Sequence, residues 1–319
     1  MSTRPTPAAP VRTSARTVGE ASVRRPVTIL DLAAMKQAGT KIVMVTAYDY
    51  PSAQIADEAG VDVVLVGDTA AMVVLGYDAT TPIRMDEMVT MAAAVRRGLK
   101  RPLLIGDLPF GTYEASNELA IESAQRYVRE AGCDAVKLER GGPSVDRARA
   151  IARSGIPVMG HVGLTPQTAS ALGGFKTQGR SAEAAAKLAE DALALQSVGC
   201  FAIVFEAVPA AVTELVASRL DVPTIGIGAG PGTSGQVLVW HDLLGIHGGH
   251  SPRFIKRYAD MRGEMTDAVR AYANEVRDGR FPGPEHVYSV EPQELDALRR
   301  YLEQESLASK SAWEWEPLP

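Results

Sequence analysis

Five short segments of this chain share one pattern, an apolar, β-branched run that stops on a polar residue able to do chemistry. VVLVGDT stops on Asp68 and Thr69, and LLIGDLPF places Asp107. AVKLE carries Lys137 and stops on Glu139, PVMGH stops on His161, and AIVFE stops on Glu206. Short apolar runs bounded by Gly or Pro and separated by helical stretches read as buried parallel strands. In a parallel α/β barrel every strand C-terminus opens on one face, and that face holds the active site. The pattern therefore predicts that these side chains meet in one pocket.

Eight strand-like runs occur in order, at 42–46, 63–66, 103–106, 135–138, 157–160, 202–205, 223–226 and roughly 237–240. Helical patterns fill most gaps. Ala120, Ala124, Val128 and Ala131 fall on one predicted helix face, as do Leu188, Ala192 and Leu195, and Gly132 and Gly199 supply the stops. Alternating β and α elements with right-handed crossovers give a parallel sheet. Eight repeats predict a (β/α)8 TIM barrel, with an open doubly wound sheet as the alternative because the eighth run is the weakest. The chain of 319 residues, 46% hydrophobic, suffices for one large core. The expected organisation is a tail over 1–26, a catalytic barrel over 27–288 and an acidic extension over 289–319.

A net charge of −5 without a basic patch argues against nucleic acid, and the absence of any apolar run near 20 residues argues against a membrane span. Cys133 and Cys200 each follow a Gly before a predicted strand and read as buried reduced thiols in a cytoplasmic protein. Residues 1–25 hold five Arg and one Glu, a composition also found in organellar transit peptides. Pro5, Pro7 and Pro10 break an amphipathic helix there, which favours a disordered tail.

Asp68, Asp107 and Glu139 form the sharpest constellation. Gathered carboxylates repel one another unless a cation sits among them, and all-oxygen ligation suits Mg²⁺. The competing reading is that one or two of them cap helices or pair with Arg. Lys137 and Glu139 are two residues apart, so strand alternation turns both to the lumen. Such a lysine could form a Schiff base with a keto acid, clamp a carboxylate, or simply pair with Glu139. Glu206 stands among apolar residues, which suits a general base as well as a capping glutamate. His161 reads equally as a core or a catalytic histidine. IGIGAGPG (225–232) is not a dinucleotide fingerprint, because it lies far from the first strand and lacks the acidic partner about twenty residues on. Its glycines suit a turn or a close backbone approach. Long connections at 70–84, at 163–180 and beyond Trp240 are candidate ligand loops.

Together TAYDY, GDTAAMVVLGYDATTP, GDLPFGTYE, VKLE, GHVGLTPQ, GGFKTQGR, FEAVP and IGIGAG resemble the ketopantoate hydroxymethyltransferases, in family order from about residue 27 to His286. The resemblance implies a (β/α)8 barrel that binds Mg²⁺, uses 5,10-methylene-tetrahydrofolate and assembles as a homodecamer. It implies Asp68 and Asp107 as metal ligands that also contact the keto acid, 3-methyl-2-oxobutanoate. Glu139 becomes the third acid of the metal site, Thr69 and Lys137 further substrate contacts, and Glu206 the proton acceptor. Thr69 stands where the family often has Ser, and Arg140 interrupts the usual Glu-Gly-Gly. Two rivals are a phosphoenolpyruvate mutase or isocitrate lyase type of barrel, which needs a catalytic cysteine on a mobile loop, and a barrel that binds keto acids without catalysis.

Overall fold

A computed structural model of the protein describes residues 25–248 and 252–308. Most of the expected tail and the terminal WEWEPLP lie outside the described residues. Eight parallel strands close into a barrel in sequence order. They are β1 Ile42–Thr46, β2 Val63–Val66, β3 Leu103–Asp107, β4 Ala135–Lys137, β5 Val158–Gly163, β6 Ala202–Glu206, β7 Thr224–Ile227 and β8 Gly235–Leu238. β8 pairs with both β7 and β1, running from Ile42 opposite Gly235 to Val45 opposite Leu238. That pairing closes the barrel and removes the open-sheet alternative. β8 starts at Gly235, earlier than its apolar run, because a side chain there would meet the Ile42 carbonyl at 2.4 Å.

Alternation along the strands sorts the core into two clusters. Ile42, Met44, Val63, Leu65, Ile105, Met159 and Val204 point inward and plug the lower lumen. Val64, Val66, Leu104, Val136, Ile203 and Phe205 point outward and pack under the helices. Continuing the inward series past the apolar layers brings up Asp107, Lys137, His161 and Glu206, so the same periodicity that builds the core aims the polar residues into the barrel mouth.

The helices follow their sequence signals with one shift. Ser116 caps Asn117–Arg126, its hydroxyl accepting from the Leu119 amide at 3.2 Å. Ala120, Ala124 and Ala131 are buried as predicted, but Val128 is 39% exposed. The chain widens into a π-turn over Tyr127–Ala131, which buries the Tyr127 ring instead. The ring lies flat on Gly106, where an added Cβ would meet it at 2.5 Å. Leu188, Ala192 and Leu195 are buried on Ala182–Ser197. Gly132 and Gly199 end their helices with φ of 70° and 101°.

Two compact units meet in sequence at Asp260 and Met261. The second unit contains the helices Met261–Arg277 and Pro292–Ala308, and the side chains of the first are half-buried or exposed. Among the described residues no helix is long and apolar enough to cross a membrane.

Candidate active site

The C-terminal ends of the strands build one cavity whose lining includes Asp68, Thr69, Asp107, Lys137, Glu139, His161 and Glu206. Every chemically interesting residue singled out from the strand pattern is therefore brought together. Past the end of β2, the Asp68 amide donates to Asp107 Oδ2 at 3.3 Å. Asp68 and Asp107 are each 2% exposed. Lys137 ends β4, and its Nζ lies 2.8 Å from Asp107 Oδ1 and 3.7 Å from Glu139 Oε1. Its closer partner is Asp107, across the barrel wall, rather than the neighbour that sequence spacing suggested. Despite that charge contact, Asp107 Oδ1 accepts no well-directed hydrogen bond among the described residues. Glu139 lies just past the end of β4. Its Oε2 accepts from the Gln167 amide at 3.0 Å, and its Oε1 is 3.6 Å from His161 Nδ1. His161 Nε2 is 3.4 Å from Glu206 Oε2.

The electrostatics follow from this burial. Desolvation, reinforced by the charges of Asp107 and Glu139, drives the Asp68 pKa well above the usual carboxylate value. Desolvation also pushes Asp107 up to about 6, although the Lys137 ammonium pulls it down. Burial opposes ionisation of Glu139, but Lys137 and the His161 contact outweigh it and hold its pKa low. Burial likewise opposes the Lys137 ammonium, and Asp107 and Glu139 overcome it, so Lys137 stays charged. His161 is held neutral by burial and by Lys137. Glu206 is pushed up to about 8 by burial and then by the Glu139 charge.

Among the described residues no three His, Cys, Asp or Glu side chains stand together as a ready metal cage. Glu139 is engaged elsewhere, with Lys137 Nζ 3.7 Å from Oε1 and the Gln167 amide donating to Oε2. The adjacent pair that remains is Asp68 and Asp107.

Three neighbours escaped the sequence reading. Gln167 donates from Nε2 to Asp68 Oδ2 at 2.9 Å. Tyr113 donates its hydroxyl to Gln167 Oε1 at 2.6 Å. Tyr127 donates to the Asp107 carbonyl at 2.5 Å. Gln167 closes the GHVGLTPQ segment and Tyr113 lies in GDLPFGTYE, which were the available signals; Tyr127 sits in a helical stretch with no distinguishing pattern. Arg140 adopts a left-handed φ of 77°, a conformation glycine would take without strain, and its amide donates to the His161 carbonyl at 3.0 Å. Its departure from Glu-Gly-Gly is thus absorbed in the backbone beside the site. After β7, Gly228 has φ 63° and a side chain there would meet the Phe254 ring at 2.6 Å, so the glycine serves a turn and a close approach. Cys133 and Cys200 are buried, and burial pushes both thiols up to about 12. Neither lines the cavity, which removes the cysteine-dependent rival. A larger cavity lies behind β5, lined by Arg140, Val162, Thr168, Leu172 and Lys187, and it holds none of the strand-end acids.

A family model described as ketopantoate hydroxymethyltransferase matches residues 26–284. The chain belongs to this family. A relative from Nitratidesulfovibrio vulgaris, a 3-methyl-2-oxobutanoate hydroxymethyltransferase, is 48% identical over 95% of this chain and 96% of its own length. The Chloroflexus aurantiacus relative of the same name is 51% identical over 85% of this chain and 96% of its own. A mitochondrial one from Oryza sativa is 50% identical, over 89% of this chain and 80% of its own. As a ketopantoate hydroxymethyltransferase the chain is an enzyme, and it converts 3-methyl-2-oxobutanoate to its hydroxymethylated product. Solved structures share the barrel. A phosphonopyruvate hydrolase aligns with TM-score 0.55 at 13% identity, over 89% of this chain and 99% of that one. A 2,3-dimethylmalate lyase of the phosphoenolpyruvate mutase/isocitrate lyase superfamily aligns with TM-score 0.52 at 18% identity, over 89% and 98%. At such identities the likeness is one of fold.

Proposed function

We propose that the keto acid binds in this cavity beside a Mg²⁺ held by Asp68 and Asp107, and that Glu206 removes the proton from its C3. Glu139 completes the acidic site as its third carboxylate. The donor set fits such an ion. Four carboxylates, Asp68, Asp107, Glu139 and Glu206, face one ammonium, Lys137, in a nearly dry pocket. Asp107 Oδ1 is a buried acceptor without a directed donor among the described residues. Mg²⁺ is commonly held by one or two carboxylates, with substrate and water at its other positions. When bound, the ion supplies Lewis-acid polarisation of the 2-oxo group and positive charge that favours ionised Glu206.

The remaining work falls to the chain. Lys137, a fixed ammonium, and the Thr69 hydroxyl hold the keto acid's oxygens. Glu206 accepts the C3 proton from the resulting orientation. Neutral His161 lies beside it, its Nε2 3.4 Å from Glu206 Oε2. A water molecule opens the one-carbon unit of 5,10-methylene-tetrahydrofolate and supplies the hydroxyl oxygen; the carbanionic C3 forms the new C–C bond to that carbon as its C–N bonds break, and protons from Glu206 and the water return to the folate nitrogens, giving 2-dehydropantoate and tetrahydrofolate. Family resemblance supports a homodecamer, and two buried reduced thiols support a cytoplasmic location.

The observation that carries this reading is Glu206. Its side chain is 17% exposed, enough to meet a substrate, yet buried enough to be pushed up to about 8, and it faces the same cavity as the acid pair and the lysine. A base with its pKa near the working pH is well placed for proton abstraction. The test is proton NMR of 3-methyl-2-oxobutanoate in heavy water with enzyme and Mg²⁺ but no folate. Deuterium should replace the C3 proton; exchange no faster than in buffer would discard the reading.

A further inference from the structure

Gln167 is 5% exposed and sits in the short turn Pro166–Thr168, inside the long connection after β5. Its Nε2 donates both to Asp68 Oδ2 at 2.9 Å and to the Leu108 carbonyl at 2.8 Å. Its Oε1 accepts from the Tyr113 hydroxyl at 2.6 Å, and its main-chain amide donates to Glu139 Oε2 at 3.0 Å. A carboxylate and a carbonyl can only accept, so the amide orientation is fixed by its partners. One residue of a surface connection thus ties together the acids that follow β2 and β4 and the segment that follows β3.

We propose that Gln167 is a positioning residue that sets Asp68 and Glu139 for metal binding and so couples metal occupancy to the order of residues 163–180. The inference rests on the Mg²⁺ reading above. With Oδ2 of Asp68 held by the amide, the other oxygen is left for the ion. The contact to Glu139 comes from the main chain, so it exists only while the turn keeps its place. Linkage then works both ways: a metal that needs both acids in place favours the ordered turn.

The probe is Mg²⁺ alone, without keto acid or folate, followed by titration calorimetry on the full chain. Gln167→Ala should weaken Mg²⁺ binding about 10–100-fold, the usual worth of a partner that orients a metal ligand. Lys176 and Arg180 are exposed in the connection, so trypsin reads its order. Mg²⁺ should slow cleavage there in the wild type and lose that protection in the variant. Tyr113→Phe removes the hydroxyl that holds Oε1 and should shift both readouts in the same direction, by less. A purely structural role would lower thermal stability and leave the Mg²⁺ affinity unchanged. Unchanged affinity and protection in either folded variant overturns the inference while the metal reading stands; a wild type that takes up no Mg²⁺ overturns both.

Discussion

His161 Nε2 lies 3.4 Å from Glu206 Oε2 and carries no well-directed hydrogen bond among the described residues. Neutral His161 stands beside the carboxylate without tying it down, while its other nitrogen faces Lys137 and Glu139. Glu206→Gln keeps the size and this neighbour but removes basicity. Mg²⁺ and keto acid should still bind. Folate-independent exchange at C3 should fall by a factor of about a hundred or more, the usual worth of a positioned base, and hydroxymethyl transfer should fall in parallel. Wild-type exchange in the variant, measured by proton NMR in heavy water, would move the role of base to another group, with His161 the first candidate.

Asp68→Ala and Asp107→Ala should each abolish turnover while the barrel stays folded. Burial raises both carboxyls, with the Asp107 charge adding to Asp68 and the Glu139 charge adding to Asp107, so removing one relieves desolvation and repulsion in the metal-free protein. Circular dichroism should match wild type, and calorimetry should show Mg²⁺ binding lost. Near-normal turnover in either variant would take that acid out of the metal site.

Much of this site was legible because a strand's period of two carries chemistry as well as packing. Asp107, Lys137, His161 and Glu206 lie in phase with the inward core residues of their own strands, so finding the strands found the pocket. What sequence spacing could not show was pairing between neighbouring strands. Lys137 shares a face with Glu139, yet its Nζ is nearer Asp107, because β3 and β4 set Asp107 opposite Lys137 in register. Gln167 and Tyr113 stayed invisible for a related reason. They reach the acids from connections rather than strands, and no periodicity marks a loop residue that folds back. Val128 was misplaced because a π-turn changes the helical period that its assignment assumed.

The raised carboxyls fix the sign of the pH dependence. Glu206 has a folded pKa of about 8 against an ordinary 4.5, and Asp107 about 6 against 3.8. Each group binds its proton more tightly when folded, so the stability it contributes is present at low pH and is lost as pH rises through that interval. The low pKa of Glu139 acts in the opposite sense at acid pH. His161, held below its ordinary 6.5, also acts in the opposite sense up to about that pH, so metal-free protein should lose thermal stability from about pH 6.5 to about pH 8 as Glu206 ionises. Added Mg²⁺ should restore it, with a gain in Tm that grows over the same range, because a cation competes with those protons. Thermal scans with EDTA and with Mg²⁺ across pH check this; a Mg²⁺ effect that shrinks with rising pH would contradict it.

The lysine separates two chemistries. A Schiff base needs a neutral amine, whereas Asp107 and Glu139 raise the Lys137 pKa and keep it an ammonium. A charge so held suits a clamp on the substrate's oxygens. Lys137→Met keeps the length and apolar stem but removes the charge. Comparison at saturating Mg²⁺ limits the cost of leaving Asp107 without its 2.8 Å partner. Keto-acid affinity should then fall about tenfold or more, consistent with losing a buried charge-assisted contact, while folate affinity changes little. Calorimetry with each ligand separately gives the two numbers. Borohydride treatment of wild type with keto acid should leave the chain's mass unchanged. A reduced adduct on Lys137, found by mass spectrometry, would replace the clamp with covalent catalysis.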